Sequence, residues 1–225
     1  MSVIPLHTSP LPSQKRQRSP RKPSKRINTR QARNIMEGLA FAREIGTPLN
    51  AHLTIHWGGT GAGDDPGGSR FAKFRHLLDK RLKRQGIRGY LTAIWVLERH
   101  RNKRKHKFSE VVHSHLLLHL PSHFERSPYR EVFLQAVEEL VELVGGGILD
   151  DRTIALTFPN NPDGKYFLKG ATRAVWDRYS SPDKWRSKRG EGVIDGKRCG
   201  TTQNIGAKAR ERWWKQQSET VSWQA

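Results

Sequence analysis

The sequence predicts an α+β fold, a central antiparallel sheet of about four to five strands with helices packed on one side. Three observations carry this expectation. Segments that alternate apolar and polar residues, the mark of strands, are interleaved with segments that carry a helical apolar stripe. Their order is helix, strand, helix, strand, strand, helix, strand, helix, which is a mixed chain rather than a repeat of βαβ units. The two consecutive strands are joined by a long basic connection and read as a hairpin, so they pair antiparallel. A sheet with helices on one side leaves its other face for a ligand.

Each element has a local reason. Residues 1–30 are rich in Pro, Ser, Lys and Arg and contain no acidic residue. That composition cannot bury enough apolar surface to fold by itself, so the segment reads as a disordered basic arm. Such an arm adds affinity for phosphate backbones, serves as an organelle or nuclear address, or is a plain solvated tail. A helix is expected over 31–46, ending at Gly46 with Pro48 beyond. "AHLTIHW", 51–57, alternates as a strand, and "GGTGAGDDPGG", 58–68, is a loop. The loop lacks the Gly-Lys-Ser/Thr ending of a phosphate-cradling loop. Residues 69–85 place Phe71, Phe74, Leu77, Leu78 and Leu82 on one helical stripe, with Lys and Arg opposite. "GYLTAIWVLE", 89–98, and "VVHSHLLLHL", 111–120, are the hairpin strands, joined by "RHRNKRKHKFSE". An amphipathic helix covers 127–144, and "TIALTF", 153–158, is the next strand. The following segment enters a short helix near Gly164, and one more helix is expected over 203–217. The predicted organisation is therefore a basic arm (1–30), a main domain (31–179) and a basic C-terminal extension (180–225).

Composition narrows the function. The chain has 225 residues and a formal net charge of +20. That balance points to a polyanionic partner, nucleic acid before membrane, but a ribosome-like structural role shares it. Cys199 is the only cysteine, which excludes an intrachain disulfide and a multi-cysteine metal site and suits a cytoplasmic protein. No apolar run approaches the roughly 20 residues of a membrane-spanning helix, and no secretory signal is evident.

The strand 111–120 raises a specific chemical question. Alternation puts Ser114, Leu116, Leu118 and Leu120 on one face and His113, His115, Leu117 and His119 on the other. The first is a core face. If Glu98 lies opposite His113 in the hairpin, two imidazoles and a carboxylate meet, because directly opposed side chains sit about 5 Å apart. Such a set suits a divalent cation: the carboxylate favours Mn, Mg or Zn, and the imidazoles fit Mn or Zn better than Mg. A His-x-His pair alone is more often an exposed polar strand face, and Glu98 is what argues for a site. His119 is too far along the strand to join it. In "GKYFLKG", 164–170, Tyr166 and Lys169 share a helical face and Arg173 extends it. A tyrosine beside a lysine and a metal is a nucleophile for a phosphodiester. Without the histidines, a core tyrosine and a solvated lysine would be the simpler reading.

Taken in order, "HLTIHW", "WVLE" with "VVHSHLLLHLP", and "KYFLKG" resemble the motifs of the HUH endonuclease superfamily, in particular the single-tyrosine rolling-circle replication initiators. The likeness spans roughly residues 48–172. His113 and His115 match the histidine pair, Glu98 the acidic ligand, and Tyr166 and Lys169 the Tyr-x-x-Lys motif. Ser114 departs from the bulky hydrophobic residue expected between the histidines, and no second tyrosine follows Tyr166 by four residues. The resemblance implies a ferredoxin-related Rep-like fold and a Mn or Mg cofactor, with Zn the second choice. It implies that Tyr166 cuts single-stranded DNA, leaving a 5′-phosphotyrosine and a free 3′-hydroxyl. A replication origin or the end of a plasmid or phage is the implied substrate, with host replication proteins as partners near the bacterial nucleoid.

Basic and aromatic residues fit strand binding. Arg99, Arg101, Lys103 and Arg104 in the hairpin connection, together with Arg173, are the expected DNA contacts. Lys73, Arg75, Lys80, Arg81 and Arg84 line the second helix. The seven tryptophans are available for stacking or for packing, and Trp95 is assigned to the core because it shares the Leu116 side. Two other classes remain: a non-catalytic nucleic-acid-binding protein on the same sheet, and a zinc hydrolase with two histidines and one glutamate.

Overall fold

The computed structural model describes residues 23–57, 68–84, 91–102, 107–146, 153–179 and 192–222. In chain order these form β1 (Pro23–Ser24), α1 (Thr29–Glu44), β2 (Ala51–His56), α2 (Ser69–Arg84), β3 (Ala93–Asn102), β4 (Lys107–Leu118), α3 (Tyr129–Leu143), β5 (Ile154–Thr157), a 3-10 turn (Gly164–Leu168), α4 (Arg173–Tyr179), β6 (Ile194–Asp195), β7 (Cys199–Thr201) and α5 (Ala207–Ser222). Most of the basic arm, most of the glycine-rich loop and the hairpin tip with Lys103 and Arg104 lie outside the described residues.

The fold is α+β. Five strands pair in the order β5-β2-β4-β3-β7, every neighbouring pair antiparallel. Alternation sorts the strand residues between two cores. Leu53 and Ile55 of β2, Trp95 and Leu97 of β3, and Leu116 and Leu118 of β4 face α2 and α3. The helical stripe Phe71, Phe74, Leu78 and Leu82 of α2 closes on them, with Phe133, Val137 and Val141 of α3 beside it. Ser114 lies on this apolar face and is wholly buried, where its Oγ accepts from the Trp57 indole at 3.1 Å. The serine between the two histidines thus satisfies a buried tryptophan.

The opposite face is closed over only part of its length. Ile94, Val96 and Leu117 pack under Ile35 and Leu39 of α1 and under Phe167, Leu168 and Val175. α1 is set by a capping box, in which the Asn28 side chain accepts from the Gln31 amide and the Gln31 side chain accepts from the Asn28 amide. It ends as expected before Gly46, which adopts φ +71°.

Three boundaries differ from the sequence expectation. Residues 23–30 of the predicted arm are part of the fold: β1 pairs with β6, and Ile27 is fully buried against Ala171. An aliphatic residue placed before a good N-cap gives this stretch an anchor that its composition hides. The supposed extension 180–225 supplies the edge strand β7 and helix α5, which packs on α1 through Trp213 and Phe41. Arg198 is fully buried there, donating to the carbonyls of Leu97, Ser24 and Gly192 and so tying β1 and β6 to the sheet. Finally, the basic connection is largely strand, because β3 runs to Asn102 and β4 begins at Lys107. Among the described residues no helix is long and apolar enough to cross a membrane.

Candidate active site

Beyond the apolar patch packed under α1, this side of the sheet carries the polar residues of three strands. β2 brings His52, Thr54 and His56; β4 brings His113 and His115; β3 brings Glu98. The pairing puts Glu98 directly opposite His113, as the alternation predicts, and puts His56 opposite His113 on the other side. His115 lies between Val96 and Thr54.

His115 is the hub. Its Nε2 is 3.5 Å from Glu98 Oε2, and its Nδ1 is 3.0 Å from Thr54 Oγ1 and 3.5 Å from the Tyr166 hydroxyl. Burial would raise the Glu98 carboxyl. The hydrogen bond and charge of His115, with the charges of Lys169 and His113, outweigh it and hold the group below its ordinary value. An ionised carboxylate only accepts, so the His115 Nε2 facing Glu98 carries a proton and donates it.

Lys169 Nζ sits 3.9 Å from the same Glu98 oxygen and 3.7 Å from the centre of the Tyr166 ring. The ammonium is drawn to the negative face of the phenol ring. Tyr166 is 38% exposed. The local conformation differs from the expected α-helical turn. Gly164–Leu168 is a 3-10 turn whose N-terminal Asp163 accepts from the Lys165 amide, and Lys169 leaves it with φ −53° and ψ 140°. With three residues per turn, positions three apart still share a side. The turn is pinned against α1 by Phe167 and Leu168 and by Gly164, where a Cβ would lie 2.8 Å from the Met36 sulfur. A side chain there would require Met36 and Leu39 to shift, so the glycine suits the close packing of the turn on α1.

His52 belongs to this cluster, although its sequence context singled out only a strand. Its ring centre is 5.1 Å from that of Tyr166 and 5.5 Å from that of His115. Burial, then the neighbouring His115 and Lys169, lower it to about 4 against the opposing pull of Glu98, so it is neutral at pH 7. Its signal was the period of two with Thr54 and His56, readable only once β2 is known to lie beside β4.

Other predicted residues fall elsewhere. Arg99 follows Glu98 and therefore faces away from the site, its stem packed under Gly192, where a Cβ would come within 2.5 Å of Arg99 Cβ. Arg173 lies along exposed α4 with its Nε 2.7 Å from Asp177 Oδ1. Arg101 is on β3 beyond a register shift, opposite Phe108. His119 donates from Nδ1 to the Pro48 carbonyl at 2.8 Å, a strand-end contact outside the cluster.

The donor chemistry fits a divalent cation. Glu98 Oε1 is buried without a hydrogen-bond partner, and a carboxylate oxygen left this way is available to a metal. The three ligands are not drawn together, however. The His113 ring stacks on that of His56 at 4.1 Å between centres, and among the described residues no three His, Cys, Asp or Glu side chains are grouped closely enough to hold a metal ion. Comparison with protein-family models, with curated proteins and with solved structures finds no match to this chain.

Proposed function

We propose that the chain is a divalent-metal-dependent endonuclease and strand transferase of single-stranded DNA, with Tyr166 as its nucleophile. The observation that carries this reading is the meeting of the Tyr166 hydroxyl, His115 and Glu98 on one sheet face, with Lys169 over the phenol ring. A net charge of +20 supports a polyanionic substrate. Glu98, His113 and His115 would hold Mn or Mg, which would supply positive charge at the scissile phosphate. His115, with Nδ1 3.5 Å from the Tyr166 hydroxyl, would hold the phenol in place beside the scissile phosphate. The phenol proton passes to solvent, and Lys169 steadies the resulting phenolate. The phenolate oxygen attacks phosphorus, the bond to the 3′-oxygen breaks, and that oxygen leaves with the electron pair and takes up a proton. A 5′-phosphotyrosine and a 3′-hydroxyl remain, and the reverse attack rejoins the strand. Such chemistry would serve a plasmid or phage replicating in the bacterial cytoplasm near the nucleoid, alongside host replication proteins.

Binding without chemistry is the second reading, and one observation favours it: the His113 ring leans on that of His56, tilted by 49°, and among the described residues the site's side chains are not grouped closely enough to hold a metal ion. An adduct assay separates the two. Labelled single-stranded oligonucleotides from the surrounding genome, incubated with protein and Mn, are resolved on a denaturing protein gel. The nuclease reading expects a DNA-linked band that disappears in Tyr166→Phe and on chelation. DNA binding with no linked band would leave the binding module.

A further inference from the structure

A second site lies at the β7 edge of the sheet, away from the tyrosine, where α1, α2 and α5 approach the Thr201–Asn204 turn. They enclose a cavity of about 750 Å³. Its lining is chemically mixed in a particular way. Arg75 of α2 stacks its guanidinium over Trp95, 4.5 Å from the ring centre, and over Phe71 at 5.2 Å. Its Nε is buried with no hydrogen-bond partner among the described residues. Burial lowers Arg75 to about 10, which leaves it charged at neutral pH.

A partly buried cation normally has a counter-charge. The carboxylate on this wall, Asp79, is already engaged, by Lys83 Nζ at 2.8 Å and by the Leu91 amide at 2.7 Å. Arg212 of α5 adds a second guanidinium to the lining, on an exposed helix position. Trp213, half-buried and edge-on to Phe41 at 5.6 Å, adds an aromatic wall. Asn204 uses its Nδ2 on Thr92 Oγ1 at 2.6 Å, while its Oδ1 is buried and unpartnered. The cavity thus offers two guanidinium groups and a flat apolar surface, and one of its lining residues holds an unpartnered amide oxygen. Its size is that of a small-ligand pocket, roughly 300–1,000 Å³.

We propose that this cavity binds a nucleotide, with its phosphate on Arg75 and Arg212, its base against Trp213, and a base N–H donated to Asn204 Oδ1. Guanidinium groups match phosphate oxygens in number and geometry, and indole faces stack on any base. The ligand is either a free nucleotide or one unit of a single strand. The site uses no residue of the tyrosine cluster, so it stands whether or not Tyr166 performs chemistry.

The test follows the Trp213 indole N–H in NMR spectra of the full chain, assigned by its loss in Trp213→Phe. The probes are deoxyadenosine monophosphate, deoxyadenosine, inorganic phosphate and a short oligodeoxyadenylate. The monophosphate is expected to shift the signal saturably, with deoxyadenosine and phosphate each far weaker. Arg212→Gln, on an exposed position where folding is retained, is expected to weaken the monophosphate about tenfold. The same shift should occur in Tyr166→Phe. If the oligonucleotide moves the Trp213 signal as the monophosphate does, the ligand is a unit of a strand; if it binds without moving it, the ligand is the free nucleotide. No shift with either probe, a full shift with phosphate alone, or unchanged affinity in Arg212→Gln would overturn the proposal.

Discussion

The two faces of the sheet are made from alternate residues of the same three strands, yet they have opposite chemistry. Leu53, Trp95 and Leu116 meet α2 and α3 on one side, whereas His52, Glu98 and His115 are grouped on the other. On the first face nearly every contact is apolar; its one serine is matched by an indole, while the Trp95 indole nitrogen is buried without a partner among the described residues. On the second, Glu98 Oε1 and His52 Nε2 are buried without hydrogen-bond partners. Unsatisfied buried groups each cost roughly 1–3 kcal/mol, and on the second face they belong to titratable side chains gathered beside Tyr166. The difference teaches where substitutions should alter folding and where they should alter function.

The largest effect on stability is expected on the apolar face. Phe74→Ala empties a fully buried position and should cost about 3–5 kcal/mol in chemical denaturation. A cost below about 1 kcal/mol would mean that this face is not the principal core.

Glu98→Gln comes next. It removes a charge-assisted contact to His115 and should destabilise by about 1–2 kcal/mol at pH 7, measured without metal. The sign follows from its lowered pKa. The stability that ionised Glu98 contributes is present above the ordinary carboxylate value and is lost as pH falls through the lower folded value. Denaturation at stepped pH should therefore show wild type and variant converging in acid. A gap that stays constant from pH 7 to acid would show that the effect is steric and not electrostatic.

Ser114→Ala should be the smallest, about 1 kcal/mol, because it strands the Trp57 indole N–H in the apolar layer. It should leave the polar face intact, and altered metal or DNA binding would show that the faces are coupled.

How much of this was legible depended on sequence distance. Glu98 opposite His113 followed from alternation within one hairpin, because both strands and their register are local. His52 joined the site through the pairing of β2 with β4, which no local pattern specifies. The strand β7 escaped notice because Cys-Gly-Thr is three residues long with a glycine at its centre, and its role comes from backbone pairing with β3. Arg99 was placed by its nearness in sequence to Glu98, but a strand sends consecutive residues to opposite faces. Tyr166 and Lys169 were paired correctly as neighbours, since three-residue spacing survives the change from an α-helical to a 3-10 turn.

The central claim is that Tyr166, among the tyrosines of this chain, forms the bond to DNA. Its most direct test is to incubate the protein with Mn and a cleavable single strand, digest the product, and locate the nucleotide-bearing peptide by mass spectrometry. The account predicts a phosphodiester-linked nucleotide on Tyr166 and on no other residue. A nucleotide on a different side chain, or a cleaved strand with no nucleotide left on the protein, would contradict it.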